Sequence, residues 1–439
     1  MRDLGGAPAA VQIAIERPDG LLVAALVEHG YAVYPINPKA VDRYRDRHHT
    51  SGAKDDARDA QALAHILRTD GEHFRPLAPE SELAAELRLT IRAYRDLVVE
   101  GVRFTNQLHS CLGDYYPAAL GLFSELDAAI SLAFLLAFPT PDAARAAGRD
   151  RIIAWLKQQG YAHPKRAEQV VERATAKALA AGAGVVRARS RQMVGVVAAL
   201  QAVIAAKQAH VKALEELLGQ HPDGGVFLGL PGAGVVTAAA LLGELGEDRD
   251  ALPNAQALQS VGGTAPVTIQ SGKSRRVVRR HACNRQLNEA LLQFARCSLM
   301  RAGCGDEGVA WVKEAYLARR QAGDTAQQAY RVLANRWATI LWAMWTHTKP
   351  TIMNAMPRRA PPEPCPRPGE RRRADARHPA ANPLDCVIPS ARSGSRSPLP
   401  ERRSVVQINQ PEPAGQGRAA AKRTLDARPP ATHASWRGS

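Results

Sequence analysis

Two runs of residues at alternating steps of four and three constrain this chain more than any other feature. Leu87, Ile91, Tyr94, Val98, Gly101, Thr105, Leu108, Leu112 and Tyr115 form the first. Met193, Val197, Leu200, Ile204, Lys207, Val211, Leu214 and Leu218 form the second. A seam of that period lies along one side of a helix and needs a partner helix to cover it. Both runs outlast an ordinary globular helix. The middle of the chain, residues 81–221, therefore reads as a helical coiled-coil region. The pattern permits either a hairpin within one chain or pairing between two copies.

The flanks read differently. Residues 11–15 form a short apolar strand that ends at Glu16. Residues 20–29 read as a helix with Leu21, Leu22, Ala25 and Leu26 on one face. Tyr31–Asn37 reads as a second strand, stopped by Pro38. Strand, helix, strand implies a parallel pair and an α/β domain over residues 1–80. A further helix is expected at 56–68, with Leu63, Ala64 and Leu67 as its stripe. Past Pro222, Gly224 and Gly225, residues 222–356 read as mostly helical, with a Gly-rich break near 262–272. Trp311, Tyr316, Tyr330, Trp337, Trp342 and Trp345 fall at helical spacing, which fits core better than base-stacking platforms. After Pro357 the apolar periodicity fades, and the remainder holds half of the chain's 30 prolines. Residues 357–439 read as a disordered basic tail. The fold class is thus α/β plus all-α.

A length of 439 residues suggests two or three domains. The formal charge of +16 favours nucleic acid or an anionic membrane as partner. More than half of that surplus lies in residues 357–439, so the rest is only moderately basic. No run approaches the roughly 18 apolar residues of a membrane span, and no signal peptide is expected. The six cysteines form no CxxC pair, which argues against a zinc ribbon and fits reduced thiols in a cytoplasmic protein.

Three acids are candidates for chemistry. Glu16 closes the first strand, and ligands gather at the carboxyl ends of parallel strands. Taken alone, it also fits a surface residue opening the turn Arg17-Pro18-Asp19-Gly20. Asp56 and Asp59 are three apart, so on a helix they share a face with Leu63 and Leu67. Acids in a first turn are also favoured by the helix dipole alone. Three convergent carboxylates repel unless a hard cation, Mg²⁺ or Mn²⁺, lies between them. Two such ions about 4 Å apart can activate a nucleophile and stabilise a leaving oxygen.

Two later motifs bear on phosphate. Leu230-Pro231-Gly232-Ala233-Gly234 before an apolar helix resembles a helix-hairpin-helix, in which Gly232 and Gly234 let backbone N–H groups approach a phosphate. An ordinary tight turn between packed helices fits equally. Gly272-Lys273-Ser274 lacks the upstream glycine of a nucleotide-binding loop, since position 267 is Val. What remains is Ser271 in a flexible loop, followed by Lys273, Arg275, Arg276, Arg279 and Arg280. Cationic side chains beside a serine can orient a phosphate and favour an alkoxide. A solvated basic loop that merely touches phosphates is the alternative.

In order along the chain, these strings resemble the IS110 (DEDD) family of insertion-sequence transposases. The matching segments are Ala14-Ile15-Glu16-Arg17-Pro18-Asp19-Gly20, Pro35-Ile36-Asn37-Pro38, Ser51-Gly52-Ala53-Lys54 running into Asp56–Ala60, Leu230–Gly234, and Gly263–Pro266 leading to Ser271-Gly272. The resemblance spans roughly residues 11–350. It implies a RuvC-like (ribonuclease H-type) N-terminal domain, a coiled-coil region and a serine-bearing transposase domain. It implies that Glu16, Asp56 and Asp59 are the second, third and fourth acids of the DEDD set, holding Mg²⁺. It implies that Ser271 attacks DNA to form a phosphoserine link. Partners implied are DNA, a guide (bridge) RNA and further copies of the chain, as dimer or tetramer, at the bacterial nucleoid. The first acid of the set has no counterpart upstream of Glu16, because Asp3 lies in no strand. The RuvC-like domain is therefore expected to be partial, and a catalytically inactive remnant that only binds nucleic acid is the competing expectation.

Overall fold

The computed structural model describes residues 7–48, 55–161, 163–176 and 180–347. The 357–439 tail and the Ser51–Lys54 string lie outside the described residues.

At the N-terminal end, β1 (Gln12–Ile15) and β2 (Ala32–Pro35) pair in parallel, with Gln12 opposite Ala32 and Ile15 opposite Pro35. The connecting helix α1 (Leu21–Glu28) completes the expected strand–helix–strand unit. Unlike the expectation, α1 buries none of its residues, and Leu21 and Leu22 are 92% and 73% exposed. Pro38 ends β2 but also begins a helix not foreseen, α2 (Pro38–His48). Proline is suited to a first helical position, and the Asn37 side-chain Oδ1 accepts from the Lys39 N–H at 2.9 Å. Helix α3 (Asp56–Asp70) follows. Its buried residues are Ala62, Ile66 and Leu67, with Leu63 half-buried and Ala64 exposed. They pack with Ile36 and Val41, and with Ala14 and Tyr34 from the strands, into a small core. Among the described residues this sheet has two strands.

Helices α4 (Glu82–Tyr115) and α8 (Ala183–Gln220) carry the two seams and pack along one another. Leu87 and Ile91 meet Leu214, Leu217 and Leu218 in one cluster, while Leu108, Cys111 and Leu112 meet Met193, Val197 and Leu200 in another. The start of α4 thus lies beside the end of α8, and the pair is an antiparallel hairpin within the chain. A Cβ on Gly101 would stand 3.6 Å from Val203, an ordinary contact. Helices α5 (Ala129–Ala137), α6 (Pro141–Gln158) and α7 (Pro164–Thr175) close the far end of the hairpin. There Trp155 meets Phe134 and Phe138 edge-on. By length and composition α8 could also cross a bilayer.

The other end of the hairpin is enclosed by α9 (Gly224–Leu228), α10 (Val235–Leu245), α11 (Ala255–Val261), α12 (Arg285–Gly303), α13 (Ala310–Gln321) and α14 (Ala326–His347). The tryptophans are core, as expected. Trp337 donates from Nε1 to Ser298 Oγ at 2.9 Å, and Trp342 to the Leu252 carbonyl at 2.8 Å. The Gly-rich break is not a flexible loop. Its second half forms an antiparallel ribbon of β3 (Val267–Ser271) and β4 (Ser274–Val278). Among the described residues, Cys111, Cys283 and Cys297 are free thiols.

Candidate functional site

The acidic candidates sit on the small N-terminal core. Glu16 follows β1 immediately and is half-buried. Asp55 caps α3, its side chain accepting from Arg58 N–H at 2.8 Å, so Asp56 is the first helical residue and is exposed. Asp59, one turn on, is half-buried at the head of the Ala62–Ile66 stripe. It is already paired: Arg45 on α2 donates to Asp59 with one guanidinium nitrogen and to Asp42 with the other. Among the described residues, no three His, Cys, Asp or Glu side chains converge as a metal cluster. The structure therefore sets Glu16, Asp56 and Asp59 on neighbouring elements without closing them around one point. Asp42 and Arg45 were missed at the sequence level. Their three-residue spacing is a helical ion-pair signal, but it lies in a segment read only as following a strand stop.

The serine region has a fixed base and an exposed tip. At the base, Gly263 has φ +66, and a Cβ there would lie 2.6 Å from Cys283 Sγ. Asn288 on α12 donates to the Gly262 carbonyl at 2.7 Å, and Thr264 donates to Asn335 Oδ1 at 3.0 Å. Asn284 caps α12 through Leu287 N–H, and its amide donates to Glu244 at 3.2 Å. Glu244, whose side chain is fully buried, is held bidentately by Arg92 of α4 at 2.8 and 2.9 Å. Burial alone would raise the Glu244 pKa. The Arg92 hydrogen bonds and charge, with Asn284, outweigh burial and hold it below the usual carboxylate value.

Beyond that base the ribbon stands in solvent, with Val267 and Val278 half-buried and every residue from Thr268 to Val277 exposed. Pairing and the two-residue period sort its side chains by face. Ile269, Ser271, Ser274 and Arg276 share one face, and Thr268, Gln270, Arg275 and Val277 share the other. This corrects the expected cluster of cations around the serine. Only Arg276 lies on the Ser271 face, and Arg275 faces away. Lys273 is in the tip turn. Arg279 is spent at the base, donating to Asn288 Oδ1 at 3.1 Å. Arg280 is half-buried, with its Nε enclosed and without a hydrogen-bond partner. Arg331 on α14, not foreseen, lies near Arg279. Burial first, and then that like charge, lower its pKa.

The Leu230–Gly234 turn also divides. Gly232 has φ +84, and a Cβ would lie 2.7 Å from the Cys297 carbonyl oxygen, so this glycine is required by contact with α12 rather than by an incoming phosphate. Gly234 is exposed at the N-terminus of α10, with open space around it.

Comparisons with known proteins extend these observations. Residues 3–117 match a family model described as a transposase, of the DEDD IS110 type. Residues 225–309 match the transposase IS116/IS110/IS902 family. The chain is 36% identical over 336 residues to the mini-circle putative transposase for IS117 of Streptomyces coelicolor, covering 74% of this chain and 79% of that one. It is 43% identical over 148 residues to the putative transposase y4uE of Sinorhizobium fredii, covering 34% and 41%. It is 29% identical over 335 residues to an uncharacterized 44.8 kDa protein of insertion element IS116 of Streptomyces clavuligerus, covering 75% and 80%.

Proposed function

Because this chain belongs to the IS110 family of insertion-sequence transposases, we propose that it cleaves and rejoins DNA through a covalent link to Ser271. The observation that carries this reading is the ribbon. A serine sits at the tip of a rigidly based, solvent-exposed β3–β4 hairpin, with Arg276 on its own face. A protruding two-stranded ribbon can approach a duplex backbone that a flat surface cannot. Arg276 and Lys273 would neutralise phosphate, and Arg275, Arg280 and the Gly234 N–H would add backbone contacts.

In the reading, Ser271 Oγ attacks a phosphorus, the Oγ–P bond forms and the bond to a sugar oxygen breaks. A guanidinium beside the phosphate stabilises the charge that builds on its non-bridging oxygens. Glu16, Asp56 and Asp59 belong to a RuvC-like domain in this reading. Their oxygens suit Mg²⁺ or Mn²⁺, which would activate the attacking group. They do not converge as a trio here, and Asp59 is paired with Arg45. Their use as ligands thus requires Asp59 to exchange a guanidinium for the ion. Base pairing by a guide RNA would supply sequence recognition, leaving the protein to read backbone and shape. The protein would act as a dimer or tetramer in the cytoplasm, at the nucleoid.

The open arrangement of the acids favours a second reading, a catalytically inactive relative that only binds nucleic acid. One experiment separates the two. The full-length protein is incubated in magnesium buffer with DNA spanning its own element's ends, then denatured. A covalent adduct mapped by mass spectrometry to Ser271, absent in Ser271→Ala while gel-shift affinity is unchanged, is the expected result. Binding without any adduct establishes the second reading.

A further inference from the structure

The ribbon tip carries two serines, Ser271 and Ser274. The register places Ser274 directly opposite Ser271 across the two-residue turn Gly272-Lys273. Directly paired residues of an antiparallel ribbon project to the same face with Cβ atoms about 5 Å apart. The next pair, Gln270 and Arg275, points the other way, and the pair behind it, Ile269 and Arg276, returns to the serine face. Two hydroxyls with one guanidinium behind them thus form the end of that face. Both serines are exposed, and neither hydroxyl has a hydrogen-bond partner among the described residues. Gly272 has φ +53, yet a Cβ there would meet nothing within 4 Å. The glycine therefore serves the turn that holds the two serines opposite, not any packing demand.

We propose that Ser274 is a second hydroxyl of the phosphate site, donating a hydrogen bond to a non-bridging oxygen of the phosphate that Ser271 attacks. This rests on Ser271 being the nucleophile. In that step the Ser271 Oγ–P bond forms and the P–O bond to the departing sugar oxygen breaks. The Oγ proton passes to water, and the sugar oxygen takes a proton from solvent. Ser274 exchanges no bond and keeps its proton. Its hydroxyl stabilises the charge on the five-coordinate phosphorus in both the attack and its reversal. A tip only two residues wide lets both hydroxyls reach one phosphate without moving the ribbon.

The test compares the full-length parent with Ser271→Ala, Ser274→Ala and Ser274→Thr in the adduct assay, each with its DNA affinity. Ser274→Ala is expected to slow adduct formation about 10–100-fold at unchanged affinity, with the adduct still on Ser271, and Ser274→Thr to restore most of the rate. An unchanged rate in Ser274→Ala overturns this proposal while leaving the Ser271 reading intact, provided Ser271→Ala forms no adduct. Equal losses of rate and affinity in both Ser274 variants overturn it as a mere structural requirement. An adduct on Ser274 in the Ser271→Ala protein overturns the nucleophile assignment and the donor role together.

Discussion

At Asp59 the guanidinium of Arg45 holds the place a divalent ion would need, since a carboxylate oxygen bonded to one cation is shielded from a second. Arg45→Gln removes that competitor. Manganese binding, followed by electron spin resonance, is expected to tighten several-fold in Arg45→Gln, and Asp59→Asn is expected to cancel the gain. Unchanged affinity in Arg45→Gln would show that Asp59 is no ligand. The acids themselves were legible in the linear order, because Glu16 ends an apolar run and Asp59 heads an apolar stripe. Their partner was not, because nothing in the order of residues says that α2 lies across α3. Likewise Gly232 and Gly234 look alike in sequence, and only the Cys297 carbonyl separates a packing glycine from an open one.

Glu244 is the point where three elements are joined: α10 carries it, Arg92 of α4 grips it, and Asn284 at the head of α12 donates to it. Its pKa is lowered on folding from the ordinary value of 4.5. A depressed carboxylate stabilises the fold above its unfolded pKa and loses that contribution as pH falls through the folded value. Stability measured in urea should therefore decline below about pH 4.5, less steeply in Glu244→Gln. At neutral pH that variant is expected to cost about 2–3 kcal/mol, below the roughly 3–5 kcal/mol of a fully buried broken pair, because Arg92 is partly in water. An identical pH profile in the variant would remove Glu244 from this role. At the same scale, the β3–β4 ribbon escaped the sequence reading. Strands announce themselves by alternating burial, and from Thr268 to Val277 every residue is exposed.

The described molecule has two large cores at opposite ends of one long helical hairpin, with the small βαβ core beside it. Between Leu200 and Leu214, α8 has no buried residue, so the hairpin is thinnest there. Amide exchange by mass spectrometry should find residues 201–213 opening faster than both 193–200 and 214–218, because local stability follows buried apolar contact. Uniform protection along α8 would contradict this layout. By itself the sequence determined the seams of α4 and α8, the βαβ start, the aromatic core of the last helices and the residues that mark the family. All of these are written in local periodicity or in short contiguous strings. Only the tertiary structure decided that the seams pair within one chain, that Arg45 holds Asp59, that α1 buries nothing, and that Ser274 rather than Arg275 stands beside Ser271. Each depends on which face of one element meets another across a long sequence separation or a change of strand, and a linear pattern carries no such information.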